Sequence, residues 1–113
     1  MSSTIGTFAY GSVPIEVHLD DRLLAHLQVV IVSKLRRRES FVFSWREDAS
    51  SGEGRTSVWL HPDADLSFHF FGSRAPRINR MWIAQLTSLA NSGAGLRIIP
   101  EPSETAETWP QDG

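Results

Sequence analysis

The sequence predicts a single α+β domain, in which a mostly antiparallel sheet of about six strands carries two helices packed mainly on one face. Three observations predict it. Several segments alternate apolar and polar residues with period two, as Val13, Ile15, Val17 and Leu19 do against Pro14, Glu16 and His18, the mark of a half-buried strand. Two longer segments instead repeat their apolar residues at helical spacing. The two kinds of segment follow one another as ββαβββαβ with no internal repeat, and a mostly antiparallel sheet accounts for the alternation.

Residues 4–10 and 13–19 read as strands joined through Gly11-Ser12, a hairpin signal. Residues 20–38 form the longest periodic segment, with Leu23, Leu24, Leu27, Val30, Ile31 and Leu35 on one face. Asp20 or Asp21 can cap its start, and Lys34, Arg36, Arg37 and Arg38 crowd its last turn, where cations complement the helix dipole. The β-branched run 29–32 also fits a buried strand, but caps and length favour the helix. Residues 40–46 put Phe41, Phe43 and Trp45 on one side and Val42, Ser44 and Arg46 on the other, with the aromatic side predicted as core. The polar stretch 47–54 is an expected hairpin loop, 55–61 a strand, 62–65 a turn, and 66–71 a strand with Leu66, Phe68 and Phe70 inward. Asn79 is a plausible N-cap for a second helix to residue 91, carrying Met81, Trp82, Leu86, Leu89 and Ala90 near one face. Residues 96–99 make a last short strand. His18, Ser44, Arg46, Ser67 and His69 are expected on the uncovered sheet face. Residues 1–100 are assigned to the domain and 101–113 to an acidic tail rich in Pro, Glu and Thr, expected to be disordered.

At 113 residues the chain is long enough for one core without staples. It has no cysteine, which removes disulfides, thiolate metal sites and cysteine nucleophiles and suits the cytoplasm. No stretch approaches the roughly 20 apolar residues of a membrane span, so no membrane partner is expected. Residues 1–100 hold eleven basic side chains against nine acidic ones, ten of the eleven being arginine, while Glu101, Glu104, Glu107 and Asp112 make the tail acidic. A mildly basic domain does not by itself announce nucleic-acid binding.

Residues 6–11 (GTFAYG), 26–45 (HLQVVIVSKLRRRESFVFSW), 58–62 (VWLHP) and 95–102 (GLRIIPEP) are similar to a family of short bacterial proteins of unknown function, the likeness spanning about residues 5–102. Members of that family often carry an automatic label of ATP-dependent DNA ligase, and the resemblance implies no established catalytic residues. A nucleotidyl-transferring ligase needs a lysine nucleophile in a Lys-x-Asp-Gly context, together with carboxylates for magnesium and a second domain. The only lysine, Lys34, lies in Lys-Leu-Arg-Arg, and the chain is too short for that enzyme. The label therefore implies at most an accessory role near ligation or repair.

Other chemistries are weakly signalled. His61, Asp63, Asp65 and His69 are the densest group of potential metal ligands, yet His61-Pro62-Asp63 is also an ordinary turn. There is no nucleophile elbow, no GK[ST] phosphate loop and no G-x-G-x-x-G after a strand. No catalysis and no cofactor are expected. The arginines are the better lead: Lys34, Arg36, Arg37 and Arg38 close one helix, Arg74, Arg77 and Arg80 precede the other, and guanidinium forks suit phosphates. The competing reading is a solvated helix end paired with Glu39, Glu47 or Asp48. Ala25, Val29 and Val32 form a second apolar stripe that a second helix or a second subunit should cover. Trp109 in the tail is a candidate docking residue. The expectation is a non-catalytic binding or accessory module contacting the phosphate backbone of DNA or RNA. The alternative is a homodimeric interaction domain using Ala25, Val29 and Val32.

Overall fold

The structure, a computed structural model, describes residues 5–46 and 54–103. Its elements are β1 (Ile5–Tyr10), β2 (Ile15–Asp20), α1 (Asp21–Arg36), β3 (Phe41–Arg46), β4 (Arg55–Leu60), β5 (Leu66–His69), α2 (Arg80–Ala90) and β6 (Leu96–Arg97). The predicted order holds.

Both helices begin where a side chain satisfies orphan backbone amides. The Asp20 carboxylate accepts from the Arg22 N–H at 3.0 Å, and the Asn79 carbonyl oxygen accepts from Met81 and Trp82 at 3.0 and 3.2 Å. Asp21, next to the cap, is buried and accepts from the Phe71 and Gly72 amides at 3.0 and 2.9 Å, tying the loop after β5 to the start of α1.

The expected single sheet is instead two sheets of three strands, ordered β2-β1-β5 and β4-β3-β6. Each hairpin takes its third strand from further along the chain. β5 pairs antiparallel with β1, and β6 pairs parallel with β3, which occupies the edges through which the hairpins would otherwise have joined. The turn at Pro62 carries the chain from one sheet to the other. The helices are correspondingly divided rather than laid together on one face: α1 packs on β1 and β2, α2 on β3 and β6, and the two helices on each other.

The sheets meet through their inner faces. Phe8 of β1 and Phe43 of β3 form an edge-to-face pair with centroids 5.5 Å apart, and Phe68 and Trp45 continue the aromatic row on either side. Leu24, Leu27, Val30 and Ile31 of α1 and Trp82 and Leu86 of α2 close this core. Phe41, Phe43 and Trp45 are buried as their parity predicts. Gly95 makes the approach of β6 possible: it has φ +88°, and a Cβ there would stand 2.6 Å from the Val42 carbonyl oxygen.

The domain runs past the predicted boundary at residue 100. Arg22 grips Glu101 with two bonds of 2.8 and 2.6 Å, and the Asn79 amide donates to both Glu101 and the Pro102 carbonyl at 2.9 Å.

Candidate anion-binding face of the second sheet

The structure separates the arginines that the sequence grouped. α2 starts beside Arg22 and His26 and ends beside Lys34, so it runs in the same sense as α1. Arg74, Arg77 and Arg80 therefore lie at one end of the helix pair and Arg36, Arg37 and Arg38 at the other. Fourteen residues of helix, about 21 Å, stand between them. Both sets are exposed, but no single phosphate group can reach both.

Lys34 leaves the cluster altogether. It is buried, and its Nζ donates to Asn91 Oδ1 at 2.5 Å and to Glu39 Oε1 at 3.0 Å while lying 5.4 Å from the Phe41 ring centroid. It fastens the ends of the two helices together and is not available to a ligand. Arg37 donates to Glu39 at 3.3 Å, and hydrogen bonds from Arg37 and then Lys34 hold the Glu39 carboxyl below its ordinary value. Arg38 adopts φ 60° just past the helix end, a conformation usually left to glycine.

A different set of arginines comes together on the second sheet. In the β3–β4 ladder Arg46 stands directly opposite Arg55, Ser44 opposite Ser57, and Val42 opposite Trp59. β6 then places Arg97 beside Ser44 on the other side of β3. Since residues paired across a ladder share a face, Arg46, Arg55 and Arg97 all project from the outer side, away from Phe43 and Leu96. Together with Ser44, Trp45, Ala94 and Ile98 they line an open groove of about 610 Å³. All three are exposed, and none has an ion pair with a described residue. The Ser44 and Ser57 hydroxyls bond each other at 2.8 Å between the arginines and Trp59.

Like charges directly opposed on two strands destabilise a sheet. Three guanidiniums converging without a described carboxylate therefore form a site that an anion would relieve, with forks suited to phosphate oxygens. Period-two alternation along residues 40–46 places Arg46 on the uncovered face but does not identify its partners. Pairing the strands symmetrically about the 47–54 loop would have put Arg55 across from it. Arg97 could not have been found this way, because its position depends on the parallel addition of β6.

The remaining candidates are dispersed. Of the apolar stripe, Ala25 is buried, lining a small cavity with Phe70, Gly72 and Arg74, Val32 is half-buried, and only Val29 is exposed. His61 follows β4 of one sheet and His69 ends β5 of the other, with Asp63 and Asp65 in the turn between. Among the described residues no group of three or more His, Cys, Asp or Glu side chains could hold a metal ion. Trp109 and the loop acids Glu47 and Asp48 lie outside the described residues. Among those described, no helix is long and apolar enough to cross a membrane.

A polar clasp that the sequence did not signal holds the helix starts. His26 is fully buried, and its Nε2 accepts from the Asn79 backbone N–H at 2.8 Å, which leaves Nδ1 to donate to the Arg22 carbonyl at 2.7 Å. The ring lies on Trp82 with centroids 4.6 Å apart. The hydrogen bonds from Arg22 draw the Glu101 carboxyl down to about 2 against the partial burial that opposes them, with help from Asn79. Every member of this clasp is committed to another, which marks it as structural.

The sequence model of a family described as "Domain of unknown function (DUF7882)" matches residues 5–101. No curated protein and no solved structure matches significantly.

Proposed function

The chain belongs to the DUF7882 family of domains of unknown function, and we propose that this member is a non-catalytic, cytoplasmic binding module that holds nucleic acid by its phosphates on the outer face of the second sheet. One observation carries the reading: Arg46, Arg55 and Arg97 share an open face, two of them as direct cross-strand partners. Among the described residues no carboxylate offsets that arrangement, so an anion bound there would lower its energy. A repeating phosphate chain fits better than a single small anion, because only a long anion could reach from Arg46, at the end of β3, to the exposed Arg38 at the turn that enters the same strand. Arg36, Arg37 and Arg38 are then secondary contacts. Arg74, Arg77 and Arg80, at the far end of α1, are not part of this path.

The test is fluorescence anisotropy of labelled oligonucleotides at low and at physiological salt. Three phosphate contacts on a single strand give a slope of log K against log salt of about −2. Changing Arg46, Arg55 and Arg97 together to Gln removes most of that slope and the affinity. Changing Arg74, Arg77 and Arg80 leaves both nearly intact. Absence of binding at low salt, or equal losses from the two triple variants, refutes the assignment.

Self-association through Ala25, Val29 and Val32 has less support, since Ala25 is buried and Val32 half-buried within the chain, which leaves Val29 as the exposed member.

A further inference from the structure

The outer face of the second sheet holds one large side chain that neither the core nor the charge pattern explains. Trp59 is 55% exposed, while its neighbours on the strand, Val58 and Leu60, point inward and are buried. Its cross-strand partner Val42 is half-buried beside it, so the two make an apolar pair in an otherwise polar face. The backbone beneath it is fixed, because the Tyr10 hydroxyl of the first sheet donates to the Trp59 carbonyl at 2.6 Å. Trp59 thus stands on a rigid strand instead of a loop.

Its spacing from the arginines gives it a use. Four residues of strand separate it from Arg55, about 13 Å. The bonded pair Ser44 and Ser57 fills the interval. The face therefore carries an aromatic plate, a polar lane and a three-arginine end along one line.

From this order, and resting on the phosphate-binding reading above, we infer that the ligand is single-stranded nucleic acid, with a base stacked on Trp59 while the backbone runs to Arg46, Arg55 and Arg97. A duplex presents its phosphates but keeps its bases stacked on each other, so it can satisfy the arginines and not the indole. A single strand satisfies both, and because every base has a π-face such stacking carries little sequence preference.

The experiment compares four probes on the intact chain: a labelled single-stranded oligonucleotide, the same oligonucleotide without its bases at abasic sites, a hairpin duplex of the same length, and inorganic polyphosphate as competitor. The wild-type protein is expected to prefer the single strand to both the duplex and the abasic strand by about tenfold or more, the range found for loss of one stacked base. Trp59→Ala loses a similar factor on the single strand and nothing on the abasic strand, while Trp59→Phe keeps most of the preference. Equal binding of single, abasic and duplex probes, or displacement of all of them by polyphosphate without any effect of Trp59→Ala, overturns the single-strand assignment and leaves the phosphate site standing. No binding of any probe to the wild type at low salt overturns both. The wild-type comparison of normal and abasic strands does not depend on any variant folding.

Discussion

Arg46 and Arg55 face each other across the β3–β4 ladder, and removing either charge should make the protein more stable while making it a poorer binder. Directly opposed residues have Cβ atoms about 4.5–5.5 Å apart. Two guanidiniums turned outward from that pair, some 7 Å apart in water, repel by about 0.6 kcal/mol. Measured cross-strand charge effects of about 0.2–1 kcal/mol bracket this value. Arg46→Thr and Arg55→Thr should each raise unfolding free energy by about 0.5 kcal/mol, and threonine adds a few tenths through its strand preference. The double variant removes the same repulsion only once, so it should gain less than the sum of the single changes by about 0.5 kcal/mol. Urea denaturation followed by fluorescence of the four tryptophans measures all corners of this cycle. The shortfall should fade in molar salt, where the screening length is about 3 Å. A nucleic-acid ligand should stabilise the wild type and not the double variant. Strict additivity at low salt, or a loss of stability in both single variants, would show that the two charges do not oppose each other and would remove the physical ground for an anion site.

Three further outcomes test the rest of the structure. Because Glu101 is held at about 2 instead of 4.5, its stabilising effect is complete above pH 4.5 and is lost as pH falls towards 2. That depression corresponds to about 3 kcal/mol, which solvent screening of side chains that are one-third exposed reduces to about 1 kcal/mol. Glu101→Gln should therefore cost about 1 kcal/mol at pH 7, with the gap to wild type closing below pH 4 in acid titration of the denaturation midpoint. Gly95→Ala forces a side chain into a φ of +88° against the Val42 carbonyl and should lower stability by about 2 kcal/mol or more, whereas Gly93→Ala, with nothing within 4 Å, should change it little by thermal melting. Lys34→Ala should cost about 2 kcal/mol through lost packing and its bonds to Asn91 and Glu39, yet leave the salt slope of nucleic-acid binding unchanged, which separates a buried tie from a phosphate contact.

The amino-acid sequence by itself determined the local structure. Period-two and helical spacings placed all eight elements, and Asp20 and Asn79 cap the helices that their positions announce. These features depend on neighbours within a few residues, and so they are written in the order of the chain. Tertiary structure decided which strands share a sheet. Nothing local to residues 66–69 or 96–97 says that the first joins β1 and the second adds in parallel to β3, since strand partners are chosen by packing of whole faces. The same limit shaped the candidate site. Arginines close in sequence, at 36–38 and 74–80, ended at opposite ends of a helix pair, and Lys34, which composition alone made a surface cation, was drawn inside by Asn91 from fifty-seven residues away. Arg46, Arg55 and Arg97, on three different strands, became neighbours because a sheet brings distant residues of equal parity onto one face.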